Sequence, residues 1–109
     1  MSELRIGALR HRVVLEAPDR TDDGGGGGVV TWLPVSEVWA SVVPTSGTET
    51  VVAEQIAGRV THEVLVRHRG GIVPAMRFRF GSRIFEILAV LDVGERRRVL
   101  RCLCREELL

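Results

Sequence analysis

The chain has 109 residues, 45% of them apolar and 27% charged, with a net charge of +1. That length suits one domain, 1–109, with a real core, and near-neutrality excludes the bulk attraction to nucleic acid or membrane of a strongly basic protein. Acids outnumber arginines up to Gly58, arginines dominate from Arg59, and lysine is absent, so every cationic side chain is a forked, planar guanidinium.

Period-two patterns dominate. In Leu9–Glu16, Leu9, His11, Val13 and Leu15 alternate with Arg10, Arg12, Val14 and Glu16. Pro18 and the acidic segment after it are expected to end this strand. Val29–Leu33 is a short β-prone run interrupted by Pro34, and Glu37–Val43 resumes as a strand that Pro44 ends. Residues from Thr45 to Gly58 break the pattern and fit a short helix, with Thr48 as N-cap and Gly58 as stop. Thr61–His68 alternates again. In Met76–Phe80, Met76, Phe78 and Phe80 point inward and Arg77 and Arg79 outward. Gly81-Ser82 is a two-residue hairpin signal. Arg83–Leu91, a turn at Gly94-Glu95 and Arg96–Arg105 complete the set. The expected fold is mainly β: a small single-domain barrel of about six or seven antiparallel strands, with one short helix and a long Gly-rich hairpin loop.

Five consecutive glycines, Gly24 to Gly28, raise the question of a phosphate cradle. A Walker-type loop needs a following lysine, and a dinucleotide fingerprint needs a following helix; here the chain lacks lysine and continues as the strand-forming "VVTW". The run therefore reads as a flexible hairpin tip leading to a Trp32 that packs onto the barrel. His11, His62 and His68 lack the spacing of a metal site, so no metal and no cofactor are expected. Cys102 and Cys104 would share one strand face, where a disulfide is strained; buried, reduced thiols and cytoplasmic synthesis follow. No secretory h-region precedes Arg12 and no apolar run is long enough to span a membrane. No nucleophile or acid–base constellation argues for an enzyme. Arg77, Arg79 and Arg83, with Arg96, Arg97 and Arg98, are candidates to face DNA phosphate or an acidic partner. The rival to any structural role is an OB-like barrel binding single-stranded nucleic acid.

The order of features resembles the head–tail joining proteins of tailed bacteriophages, the adaptors or stoppers. The matching stretches are "IGALRHRVVLEAP", "DDGGGGGVVTW", "EVWASVVPTSGTETVVAEQ", "THEVLVRHRGGI" and "FEILAVLDVGERRRVLRCLCREE". The resemblance implies a β-barrel that assembles with itself into a ring, six-fold, in the neck of a phage or phage-like particle such as a gene transfer particle. Its partners would be the portal on the head side, a tail-terminator protein on the tail side and packaged double-stranded DNA in the channel, with no membrane. It further implies that Ser46–Arg59 projects toward the channel, with Ser46, Gly47, Thr48, Glu49, Glu54, Gln55 and Arg59 as gating residues. A helix that merely plugs one barrel end is the alternative for that segment. The loop carrying Asp22, Asp23, Gly24, Gly26 and Gly28 is an expected contact with a neighbouring subunit or the portal.

Overall fold

A computed structural model of the chain describes residues 9–22, 24–45 and 59–107. Six strands form one closed, antiparallel barrel in the order β1-β2-β3-β6-β5-β4: β1 His11–Asp22, β2 Gly28–Pro44, β3 His62–Arg67, β4 Arg77–Phe80, β5 Arg83–Asp92 and β6 Val99–Glu106. The expected helix lies outside the described residues.

Alternation places the core. Leu15 pairs with Phe78 and Phe78 with Phe85, so three fully buried side chains meet across β1, β4 and β5. Val13, Val64, Val66, Ile87, Leu100, Cys102 and Cys104 fill the rest of the interior. Ile72 and Met76, from the loop between β3 and β4, join this cluster at one mouth. The barrel is thus a packed core with no channel of its own.

Two sequence expectations are corrected. β1 does not stop at Pro18 but runs on to Asp22, and Pro34 does not divide two strands but sits inside one continuous β2. Both have one cause. Leu15 pairs with Ser36 while Glu16 pairs with Pro34, leaving Val35 as the extra residue of a β-bulge. A bulge is where a strand tolerates proline, and beyond it β1 and β2 have lost their outer neighbours, so neither proline N is missed by a ladder. β4 pairs with β1 only at Val14–Glu16, and β3 with β2 only at Ala40–Pro44. From Ala17–Leu33 to Asp22–Gly28 the two strands, among the described residues, pair only with each other and form a two-stranded arm. The longest dimension is 51 Å against 29 and 26 Å.

The last strand is also shorter than expected. Arg96, Arg97 and Arg98 precede β6 in an exposed turn that follows a 3-10 turn at Val93–Glu95. Gly94, Glu95 and Arg97 all have left-handed φ, of 69°, 54° and 55°, which no strand accommodates. The Asp92 carboxylate accepts the Arg97 N–H at 3.1 Å and holds this conformation.

Strand direction assigns the ends. One end carries the arm tip, the β3–β4 loop and the arginine turn. The opposite end carries the Gly81-Ser82 turn and the connection between β2 and β3. There Thr45 N–H donates to Thr61 O at 3.0 Å and Thr61 N–H to Cys104 O at 2.8 Å, so that connection leaves from a fixed base.

Candidate functional site: the arm, its joint and the arginines

The arm is anchored where it leaves the barrel. Glu16 faces outward on β1, yet its side chain is only 5% exposed. Its Oε1 accepts Arg77 Nε at 2.7 Å and its Oε2 accepts Arg79 Nε at 2.9 Å. The Arg77 guanidinium in turn lies 4.1 Å from the centre of the Trp32 ring on the arm. Register explains the cluster: Glu16 pairs directly with Arg77, Arg79 is the diagonal neighbour through Val14, and Trp32 opposes Pro18 two residues along. A carboxylate shared by two guanidiniums, one stacked on indole, ties β1, β2 and β4 at the bulge. Trp32 thus packs on the barrel wall, through Arg77.

At the tip, Gly24 and Gly26 both have φ of 84°, open to glycine and strained for other residues. Asp22 Oδ1 accepts the Gly24 N–H at 2.9 Å, an Asx-type turn that starts the reversal. Gly28 is a strand residue opposite Asp22, and a Cβ there would come within 3.1 Å of the Arg20 side chain. Asp23 lies outside the described residues.

The arginines fall into two groups. Arg77 and Arg79 are held by Glu16, and Arg83 Nε donates to Glu106 Oε2 at 2.8 Å. Arg101 grips Glu63 through two bonds of 2.8 Å, and Arg105 bonds Glu86 at 2.6 Å. These groups lace the outer face of the sheet. Three of the six sequence candidates, Arg77, Arg79 and Arg83, therefore already have carboxylate partners. The other three, Arg96, Arg97 and Arg98, are exposed and form no ion pair among the described residues. They adjoin Arg67 and Arg69 at the end of β3, where the His68 N–H donates to Arg98 O at 3.0 Å. This concentration of arginines at one end, assembled from two loops, was not recognised in the sequence. Arg59 is exposed at the opposite end. Ser46, Gly47, Thr48, Glu49, Glu54 and Gln55 lie outside the described residues.

The histidines are kept apart. The His11 ring lies 4.9 Å from Phe80, tilted by 42°, and His62 meets Phe85 edge-to-face at 5.0 Å. Among the described residues no three His, Cys, Asp or Glu side chains converge on a metal-sized site. Burial lowers the His62 pKa; nearby Glu106 opposes this and Arg83 reinforces it. Arg83 holds the Glu106 carboxyl below the usual range. Cys102 and Cys104 are free and buried on one face of β6, as their spacing implied. Burial pushes the Cys102 thiol up to about 12 and the Cys104 thiol well above its ordinary value, so neither is a nucleophile near neutrality.

A groove of about 510 Å³ opens beside the arm's base, lined by Leu9, the β2 stretch Ser36–Trp39 and the loop residues Arg67–Arg69. Its lining is mixed: Glu37 and Arg67–Arg69 sit beside Leu9, Val38 and a Trp39 that is 52% exposed, and Leu33 and Val35 nearby on β2 are each 46% exposed.

Comparison with known proteins agrees with this picture of a structural β-domain. A chain described as "Virion of native gene transfer agent (GTA) particle" is 35% identical with a TM-score of 0.70, over 92% of this chain and 96% of that one. A protein of Shigella flexneri 2a, solved in solution, is 27% identical with a TM-score of 0.72, over 94% of this chain and 96% of that one. No match was found among curated proteins. Residues 4–107 match the phage head completion protein family. With nearly the whole sequence and the whole barrel accounted for by that match, the chain belongs to the phage head completion protein family, a structural family of the phage virion.

Proposed function

We propose that the protein forms a ring in the neck of a phage or phage-like particle, between portal and tail, where it helps retain packaged DNA and offers the tail its docking surface. The observation that carries this reading is the end-to-end likeness, at 35% identity, to a chain of a gene transfer agent virion. The geometry supports it. The interior is filled with side chains, so any DNA channel must lie between copies and not within one. A ribbon that leaves the barrel and a separate arginine end give each copy two unlike surfaces, which is what a ring contact between different patches requires. On this reading the ring is six-fold, with the portal on the head side and a tail-terminator protein on the tail side. The exposed arginines at 96–98 are the groups available to meet DNA phosphate or an acidic partner. The connection containing Ser46–Arg59 faces the channel and contributes to its closure.

Electron microscopy of purified necks tests the assignment: density for a ring of this barrel is expected, and necks without it would refute the role. Replacing 48–57 with a short Gly-Ser linker tests the closure: particles should lose DNA, and unchanged retention would remove gating from the proposal.

A further inference from the structure

We propose that the arm of one copy docks along β2 of a second copy, filling the groove beside Ser36–Trp39, so that the ring is stitched by arm exchange between neighbours. The inference deepens the ring reading above and rests on it.

Four observations converge. First, among the described residues the arm strands Ala17–Asp22 and Gly28–Leu33 pair only with each other. Their outer backbone edges are unpaired beyond Glu16 and Pro34, and Val29, Val30 and Leu33 stand 59%, 40% and 46% exposed. A lone two-stranded ribbon is marginal in water, and exposed apolar residues on unpaired edges are a template for strand addition.

Second, the groove offers a matching edge. β2 pairs with β3 only from Ala40 to Pro44, so on the β3 side the stretch Ser36–Trp39 has no strand beside it among the described residues. Trp39 and Val38 supply apolar contact there, and the volume is in the range that takes up several side chains.

Third, the charges are complementary. Among the described residues Asp19 and Asp22 on the arm form no ion pair, and neither does the exposed Arg67 at the groove's rim, while the groove's own acid, Glu37, is engaged by Arg12 at 3.5 Å. A fork of guanidinium on carboxylate would set the register of the added strand.

Fourth, the arm cannot fold back to satisfy its own groove. Val30 and Ser36 lie on the same strand, six positions apart, which is roughly 20 Å of extended chain. The arm of a second copy presents the acids and valines that fit this groove.

The test is a cross-link in assembled particles. A disulfide needs Cα atoms within about 7 Å, so Val30→Cys and Ser36→Cys cannot join within one chain. The native Cys102 and Cys104 are buried in the core and do not compete. Particles built with the double variant V30C/S36C should give a ladder of linked copies on a non-reducing gel, and mixed single variants should give dimers only. Particles that contain the protein as a ring but show no link between copies would overturn arm exchange and leave the ring reading standing. A Val30→Cys link to a different neck protein would do the same. Particles lacking the protein would overturn both. As an independent readout, Asp19→Arg should weaken association between copies by about tenfold, or ~1.4 kcal/mol per contact. Arg67→Asp in the same chain should restore it. Failure of the swap to rescue, with both variants folded, would count against this pairing of charges.

Discussion

The barrel and the arm are made from the same two strands, yet they are stabilised in opposite ways. In the barrel, β1 and β2 each have a neighbour on both sides, a filled interior and ion pairs across the outer face. Beyond Glu16 and Pro34 the same strands, among the described residues, have only each other, and their valines face water. The transition occurs at one bulge, where Glu16, Arg77, Arg79 and Trp32 meet. The difference suggests that the barrel carries the stability of the free chain, while the arm's apolar surface is reserved for assembly.

That division can be broken most forcefully in the core. Phe85 is fully buried between Phe78 and the His62 edge. Phe85→Ala should cost about 3–5 kcal/mol of unfolding free energy, from lost burial plus the cavity left behind. Urea denaturation measures it. A loss below ~1 kcal/mol would mean that the barrel interior is not the folding core.

The joint should come next. Glu16→Ala removes the shared acceptor of two arginines and leaves Arg77 without its brace against Trp32. A loss of about 1–3 kcal/mol is expected, the usual cost for hydrogen bonds to a charged group. Arg77 is 17% exposed and Arg79 46%, so water can recover part of it. The readout that separates joint from core is amide exchange: protection should fall along Ala17–Asp22 and Val29–Leu33 more than in β5 or β6. Uniform loss would show that the cluster braces the barrel as a whole.

Much of this was readable from residue order. The alternation of Met76–Phe80 identified Phe78 as core and Arg77 and Arg79 as outward, and the Gly81-Ser82 turn between them and β5 followed from length alone. The Cys102–Cys104 spacing identified one buried face. What failed was local grammar overridden by topology. Pro18 and Pro34 are strand breakers only where both edges are paired, and nothing in the sequence reveals that β3 and β4 stop short of them. Arg96–Arg98 alternate with nothing, and their β-like flanks concealed the left-handed turn that Gly94 begins. Glu16 looked like any outward strand residue because its two partners are more than sixty positions away.

A smaller, pH-dependent effect sits at the end of the barrel opposite the arm, where His62 and Glu106 lie 3.9 Å apart. The His62 pKa is lowered from 6.5 in the fold, mainly by burial. The unfolded chain therefore binds this proton first as pH falls. Stability is full above 6.5 and declines as pH drops through the lowered folded value. Glu106 is shifted down from 4.5 by Arg83, so its contribution is present above 4.5 and is lost as pH falls through its depressed folded value. His62→Gln should flatten the upper part of the stability–pH curve and leave the lower part in place. An unchanged slope just below 6.5 would show that His62 does not report on the fold.

The smallest effect on folding should come from the arm, and there it discriminates best. Val29 and Val30 are 59% and 40% exposed, and replacing both with serine removes little buried surface from the free chain. Unfolding free energy should stay within about 0.5 kcal/mol of the parent, as for surface substitutions generally. If the arm's valines serve assembly, the same variant should nevertheless be incorporated poorly into particles, measured by quantitative mass spectrometry of purified necks against the parent chain. Stability and incorporation would then move independently: core variants lose both, joint variants lose incorporation with moderate stability, and arm variants lose incorporation alone. Normal incorporation of the V29S/V30S chain would make the exposed valines ordinary surface residues and return the arm to a structural extension of the barrel.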